Sequence, residues 1–139
     1  MLFIAGIPRP QGSKKAFNRG GRIVLVEAAA GLKEWRELVG MLYKSQELEF
    51  HSRPTAVTVD LTFLLPQIKK PKLRYPTTKP DIDKLSRAIL DALTGIAYED
   101  DSQVVQLKTQ KVYTFNEPGV YITVSGINND YVTTRINTT

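Results

Sequence analysis

Apolar positions recur along this chain in two rhythms. Two stretches repeat them every three or four residues, as one helix face requires. Several shorter stretches repeat them every second residue or run unbroken, as strands do. Leu32, Trp35, Leu38, Val39 and Leu42 form one helical stripe and predict a helix over Ala28–Leu48, with Trp35 as a core anchor. Gly31 and Gly40 lower its propensity, and Gly40 marks either a close approach or a kink. Ile82, Leu85, Ile89 and Leu93 form the second stripe, with Ala88 and Ala92 beside it, and Gly95 closes that helix.

The strand rhythm falls elsewhere. Leu2–Ile7 is an apolar run stopped by Pro8-Arg9-Pro10, and Arg22–Val26 is a second short run. Thr55–Leu65 is rich in β-branched residues and ends at Pro66. Val57, Val59, Leu61 and Phe63 share one of its faces; Ala56, Thr58, Asp60 and Thr62 share the other. Residues 103–114 alternate, and Gly119–Gly126 follows as a last strand, with 115–119 expected as a hairpin turn between them. Residues 10–21 and 67–79 combine turn formers with charge and read as loops. From 127 the chain turns polar, a flexible or edge-strand tail. The expected order is β-β-α-β-α-β-β, a two-layer α+β arrangement in one domain over 1–139.

Composition narrows the chemistry. The 139 residues suit one ordinary domain. There is no cysteine, so neither a disulfide framework nor a Cys-based zinc site is available. The single histidine, His51, excludes a His-rich metal site within one chain. A metal would need oxygen ligands, which favours magnesium or manganese. No apolar run approaches the roughly 20 residues of a membrane span. The N-terminus lacks the basic region and small-residue exit of a signal peptide, so a cytoplasmic location is expected, away from membranes.

Charge changes the picture most. The chain is formally +5, yet 79–101 holds six of its 14 acids: Asp81, Asp83, Asp91, Glu99, Asp100 and Asp101. With three bases there, the local net is −3, against 16 bases and eight acids elsewhere, a net of +8. Two readings stand. Asp81 and Asp83 can be the cap and first-turn acid of a helix, and Asp83, Arg87 and Asp91 are spaced for ion pairing along it. Alternatively, carboxylates on different elements converge on a hard divalent cation that activates water and offsets phosphoryl charge. Lys84, Arg87 and Lys108 are candidates to balance the cluster. Two basic groups, Arg9, Lys14, Lys15, Arg19 and Arg22, then Lys69, Lys70, Lys72, Arg74 and Lys79, could hold phosphate backbones around it or form a solvated surface.

The unbroken stretch 79–104, KPDIDKLSRAILDALTGIAYEDDSQV, carries a resemblance. Asp-x-Asp-x-Leu, then Asp-Ala-Leu, then Asp-Asp-x-Gln-Val resembles the RusA family of Holliday junction resolvases, common in phages and prophages. The Pro-x-Pro at 8–10 and the strand at 55–66 also fit, so the resemblance spans nearly the whole chain. It implies a mixed β-sheet packed against two main helices. It implies a homodimeric, magnesium-dependent endonuclease, with manganese a possible substitute, that binds four-way DNA junctions and nicks opposing strands symmetrically in a bacterial cytoplasm or nucleoid.

Carried over by position, the implied metal ligands and catalytic acids are Asp81, Asp83 and Asp101. Arg87 stands where a lysine is familiar and Lys84 where an asparagine is; arginine clamps phosphate but donates protons poorly. Asp100 is expected to support its neighbour or the local fold, and Asp91 to orient Arg87 or lie near the helix end. Lys14, Lys15, Arg19, Lys69, Lys70, Lys72, Arg74, Lys84 and Lys108 are the expected DNA contacts. The apolar face of strand 55–65 and the exposed part of the first helix are candidate dimer surfaces. The rival functions are a nuclease for other branched nucleic acids and a non-catalytic basic DNA-binding module.

Overall fold

A computed structural model of the chain describes residues 1–12, 14–19, 22–27, 31–67 and 73–130, with 14–19 and 22–27 described by their backbone alone. Strand β1 (Leu2–Ala5) is followed by β2 (Lys14–Arg19) and β3 (Arg22–Glu27), then helix α1 (Leu32–Ser45) and strand β4 (Ala56–Pro66). Helix α2 (Ile82–Leu93) and a short 3-10 turn (Asp101–Gln103) lead into β5 (Val104–Thr114) and β6 (Gly119–Ile127).

Four strands form a mixed sheet in the order β1-β6-β4-β5, while β2 and β3 form a separate two-stranded sheet. Strand β4 is central: β5 lies parallel on one side and β6 antiparallel on the other. A parallel pair needs a crossover, and α2 supplies it between β4 and β5. Both helices cover one face of the sheet, giving the expected α+β layers.

The core follows the two rhythms. Val57, Val59, Leu61 and Phe63 of β4 are buried with Ile4, Val120 and Ile122 from its neighbours. Leu85, Ile89 and Leu93 of α2 and Trp35, Val39 and Tyr43 of α1 close over them. Each such side chain contributes about 1.5–3 kcal/mol through burial. Gly40 resolves as a close approach: a Cβ there would stand 2.9 Å from Ile96 Cδ1 and 3.3 Å from Ala92 O.

Four expectations need correction. Residues 14–19, read as loop, pair in register with β3 from Lys14↔Glu27 to Arg19↔Arg22. Their broken alternation hid a strand that cross-strand partners hold, with Gly20-Gly21 in sequence between. The first helix starts at Leu32, because Gly31 takes a left-handed φ of 76° that a helix cannot continue. Residues 115–119 do not make a β5–β6 hairpin, because β4 lies between those strands. The chain instead crosses the end of β4, where Gln67 N donates to Thr114 O at 3.1 Å. Finally, the apolar face of β4 is core, so it offers no surface to a partner.

Candidate active site

Helix α2 opens at Asp81, whose backbone is extended (φ −71°, ψ 139°) and whose carboxylate makes no capping hydrogen bond. That carboxylate therefore does not cap the helix, although the Asp81 carbonyl still accepts from Leu85 N at 3.0 Å. The nearest cation is Lys84, with Nζ 3.9 Å from Asp81 Oδ2. Asp83, in the first turn, is exposed and has no side-chain partner among the described residues. Free N–H groups at the helix start favour both acids.

The second acid-bearing segment is the turn before β5. Asp100 caps it: its side chain accepts from Ser102 N and from Ser102 Oγ. Those bonds hold the Asp100 carboxyl below its ordinary pKa. Gln103 answers with Oε1 accepting from Asp100 N at 3.0 Å, while its Nε2 donates to His51 O at 3.0 Å and Thr55 O at 3.1 Å. This buried amide ties the turn to the segment before β4. Asp101 then faces α2, where Arg87 NH1 lies 3.8 Å from its Oδ2.

Tyr98 fastens the intervening loop by donating from its buried hydroxyl to Leu90 O at 2.7 Å. Burial, then the charge of Asp101, raises the Tyr98 pKa well above its usual value. Glu99 pairs with Arg53 at 2.9 Å. Asp91 is half-buried near the end of α2, lining a groove with Lys33 and Arg36 of α1. The ion pair of Arg87 thus reaches from α2 across to the turn that carries Asp101.

The remaining candidates are spread out. Lys108 pairs in register with Asp60, and strand alternation puts it on the sheet face opposite Thr109, whose hydroxyl meets Ser86 of α2 at 2.9 Å. It therefore projects from the sheet face away from α2. Arg74 lies over the Tyr75 ring, 5.3 Å from its centroid, in the exposed approach to α2. Lys14, Lys15 and Arg19 are on β2; Lys69, Lys70 and Lys72 lie outside the described residues, as does the tail from 131.

Among the described residues, no three His, Cys, Asp or Glu side chains gather closely enough to hold a metal ion. Asp81, Asp83 and Asp101 supply hard oxygen donors that fit magnesium in kind. Their present separation does not make a closed site.

Sequence reasoning assigned no role to Gln103, although it belongs to the quoted motif, and overlooked Lys111. Lys111 Nζ donates to Thr78 O and Pro80 O, each at 2.8 Å, just before α2 opens. A lysine on the same strand face as Thr109 was the available signal.

The candidate site thus joins acids on a helix start to acids on a strand-leading turn, at one face of a mixed sheet. The family model described as "Endodeoxyribonuclease RusA" matches residues 5–125. The chain is also similar to "Uncharacterized protein YqaN" of Bacillus subtilis (strain 168), 31% identical over 133 residues, covering 87% of this chain and 92% of that protein. The chain belongs to the RusA endodeoxyribonuclease family. Among the described residues, no helix is long and apolar enough to cross a membrane.

Proposed function

We propose that this chain is a magnesium-dependent endodeoxyribonuclease that resolves four-way DNA junctions by paired, symmetric nicks. The observation that carries this reading is the family match spanning both acid-bearing segments, joined here by Arg87 and Asp101. Asp81, Asp83 and Asp101 would hold magnesium, or manganese in its place. The bound ion would supply an activated water and offset charge on the phosphoryl oxygen.

The protein's own groups have distinct parts in that reading. Asp81 and Asp83 present carboxylates from a helix start, and Gln103 keeps the Asp101 turn against β4. Arg87 stabilises phosphate charge as a fixed cation. Lys84, Arg74, Lys14, Lys15, Arg19, Lys69, Lys70 and Lys72 position DNA through its backbone. Two centres acting together on a two-fold junction call for a homodimer of this domain, with the exposed side of α1 as a candidate contact.

The deciding experiment compares nicking of labelled four-way junctions, forks and linear duplexes in magnesium. Junctions should be cut preferentially, at symmetric positions. Equal cutting of all three would leave a nuclease but remove the resolvase. One observation favours a second reading: the three acids are not gathered among the described residues. A basic DNA-binding module would bind junctions in calcium and leave them intact in magnesium.

A further inference from the structure

Lys111 occupies a position where a charge needs a reason. It is opposite Phe63 in register and two residues from Thr109, which bonds to α2, so it projects from the helix-covered face of the sheet. A lysine there can lay its stem along the sheet while carrying its ammonium to polar partners. It reaches two carbonyls, Thr78 O and Pro80 O, both at 2.8 Å. Pro80 immediately precedes Asp81, which opens α2.

The placement also opposes the helix dipole, because a cation is disfavoured at a helix N-terminus. The carboxylates of Asp81 and Asp83 offset that opposition at the same end. The clamp is long-range in sequence and short in space: one side chain of β5 fastens the approach to α2 at two points. Ser86 and Thr109 fasten the next turn of the helix to the same strand at 2.9 Å.

We propose that Lys111 is a positioning residue, holding the opening of α2 so that Asp81 and Asp83 present their carboxylates to a divalent ion. This rests on the metal-dependent reading given above. Lys111 itself need not touch the ion or the DNA. Losing a group that orients a metal ligand typically weakens metal binding or activity about 10–100-fold.

The test uses the full chain with Lys111→Met, Lys111→Arg and, as a charge-matched control, Lys108→Met. Amide hydrogen exchange without metal reads the clamp. Binding of manganese ion alone, by water-proton relaxation, reads its consequence. In Lys111→Met, exchange at the Leu85 amide, which bonds Asp81 O, should quicken about tenfold or more while the Leu93 amide is unchanged. Manganese affinity and kcat should each fall at least about tenfold, with KM for junctions within about twofold. Lys111→Arg, which keeps the donors, should recover most of both, and Lys108→Met should leave manganese affinity unchanged. If Lys111→Met fails to fold, Lys111→Ala also removes the donors and is held to the same outcomes.

Unchanged Leu85 exchange, or Lys111→Arg as impaired as Lys111→Met, overturns the clamp. Faster exchange with unchanged manganese affinity overturns its proposed consequence. A wild-type chain that neither binds manganese nor nicks DNA refutes the metal-nuclease reading and, with it, the metal-positioning role, while the exchange result still decides the clamp.

Discussion

Arg87 of α2 stands 3.8 Å from Asp101, a residue that follows it only after the helix has ended and the chain has turned back. The contact links the two acid-bearing segments. It is also exposed, with Arg87 60% and Asp101 31% accessible, so solvent screens it. Its value to stability is therefore at most about 1 kcal/mol.

Arg87→Ala should melt within that margin of wild type. Single-turnover nicking of four-way junctions should nevertheless fall about 10²–10³-fold, the scale of a lost charge-stabilising donor. Arg87→Lys should keep most activity if charge is what matters. Wild-type nicking by Arg87→Ala would remove the residue from the proposed site.

Asp83 is exposed and lacks a side-chain partner among the described residues. Asp83→Asn should cost only the first-turn dipole contribution, about 0.3–1 kcal/mol. In magnesium, nicking should fall by more than about a hundredfold. Junction binding in calcium, read by gel shift, should be retained or tightened. Preserved nicking with intact folding would show that Asp83 is not a ligand.

Asp100 gives a pH signature. Its folded pKa is lowered, chiefly by hydrogen bonds from Ser102. A depressed carboxyl contributes its stability fully above the unfolded pKa, about 3.9, and loses it as pH falls through the folded value. Asp100→Asn should therefore be less stable than wild type at neutral pH. The difference should shrink below about pH 4, as followed by urea melts across pH.

Gln103→Leu removes an amide that serves three backbone partners at 3.0–3.1 Å. At about 0.5–1.5 kcal/mol per hydrogen bond, the loss should be about 1.5–4.5 kcal/mol in a denaturant melt. Nicking should fall beyond what the unfolded fraction explains, because the Asp101 turn loses its tie to β4. A variant as stable and active as wild type would show that other contacts hold that turn.

The helices, β4 and the acid-rich segment were legible because each rests on a local repeat or fixed spacing. Leu85, Ile89 and Leu93 face the core as their spacing requires. The turn formers at 115–119 recorded a change of direction but could not say that β4 lies between the strands they connect. Arg87's neighbours at four-residue spacing suggested Asp83 and Asp91, whereas its contact with Asp101 depends on how the loop returns to α2. Gln103 and Lys111 were harder still. Their partners are backbone carbonyls up to 52 and 33 residues away, and carbonyls leave no mark in side-chain pattern.

Strand β5 contains one irregularity with a consequence for chain length. Val57 pairs with Val104 but Thr58 with Gln106, leaving Val105 as an extra residue at a bulge. Removing Val105 would restore continuous pairing and leave Thr109 and Lys111 facing the helices. Removing Lys108 would instead reverse the faces of residues on one side of the deletion. The strand therefore has one place where a residue can be lost without reversing its faces, and farther along the count itself keeps Lys111 aimed at the start of α2.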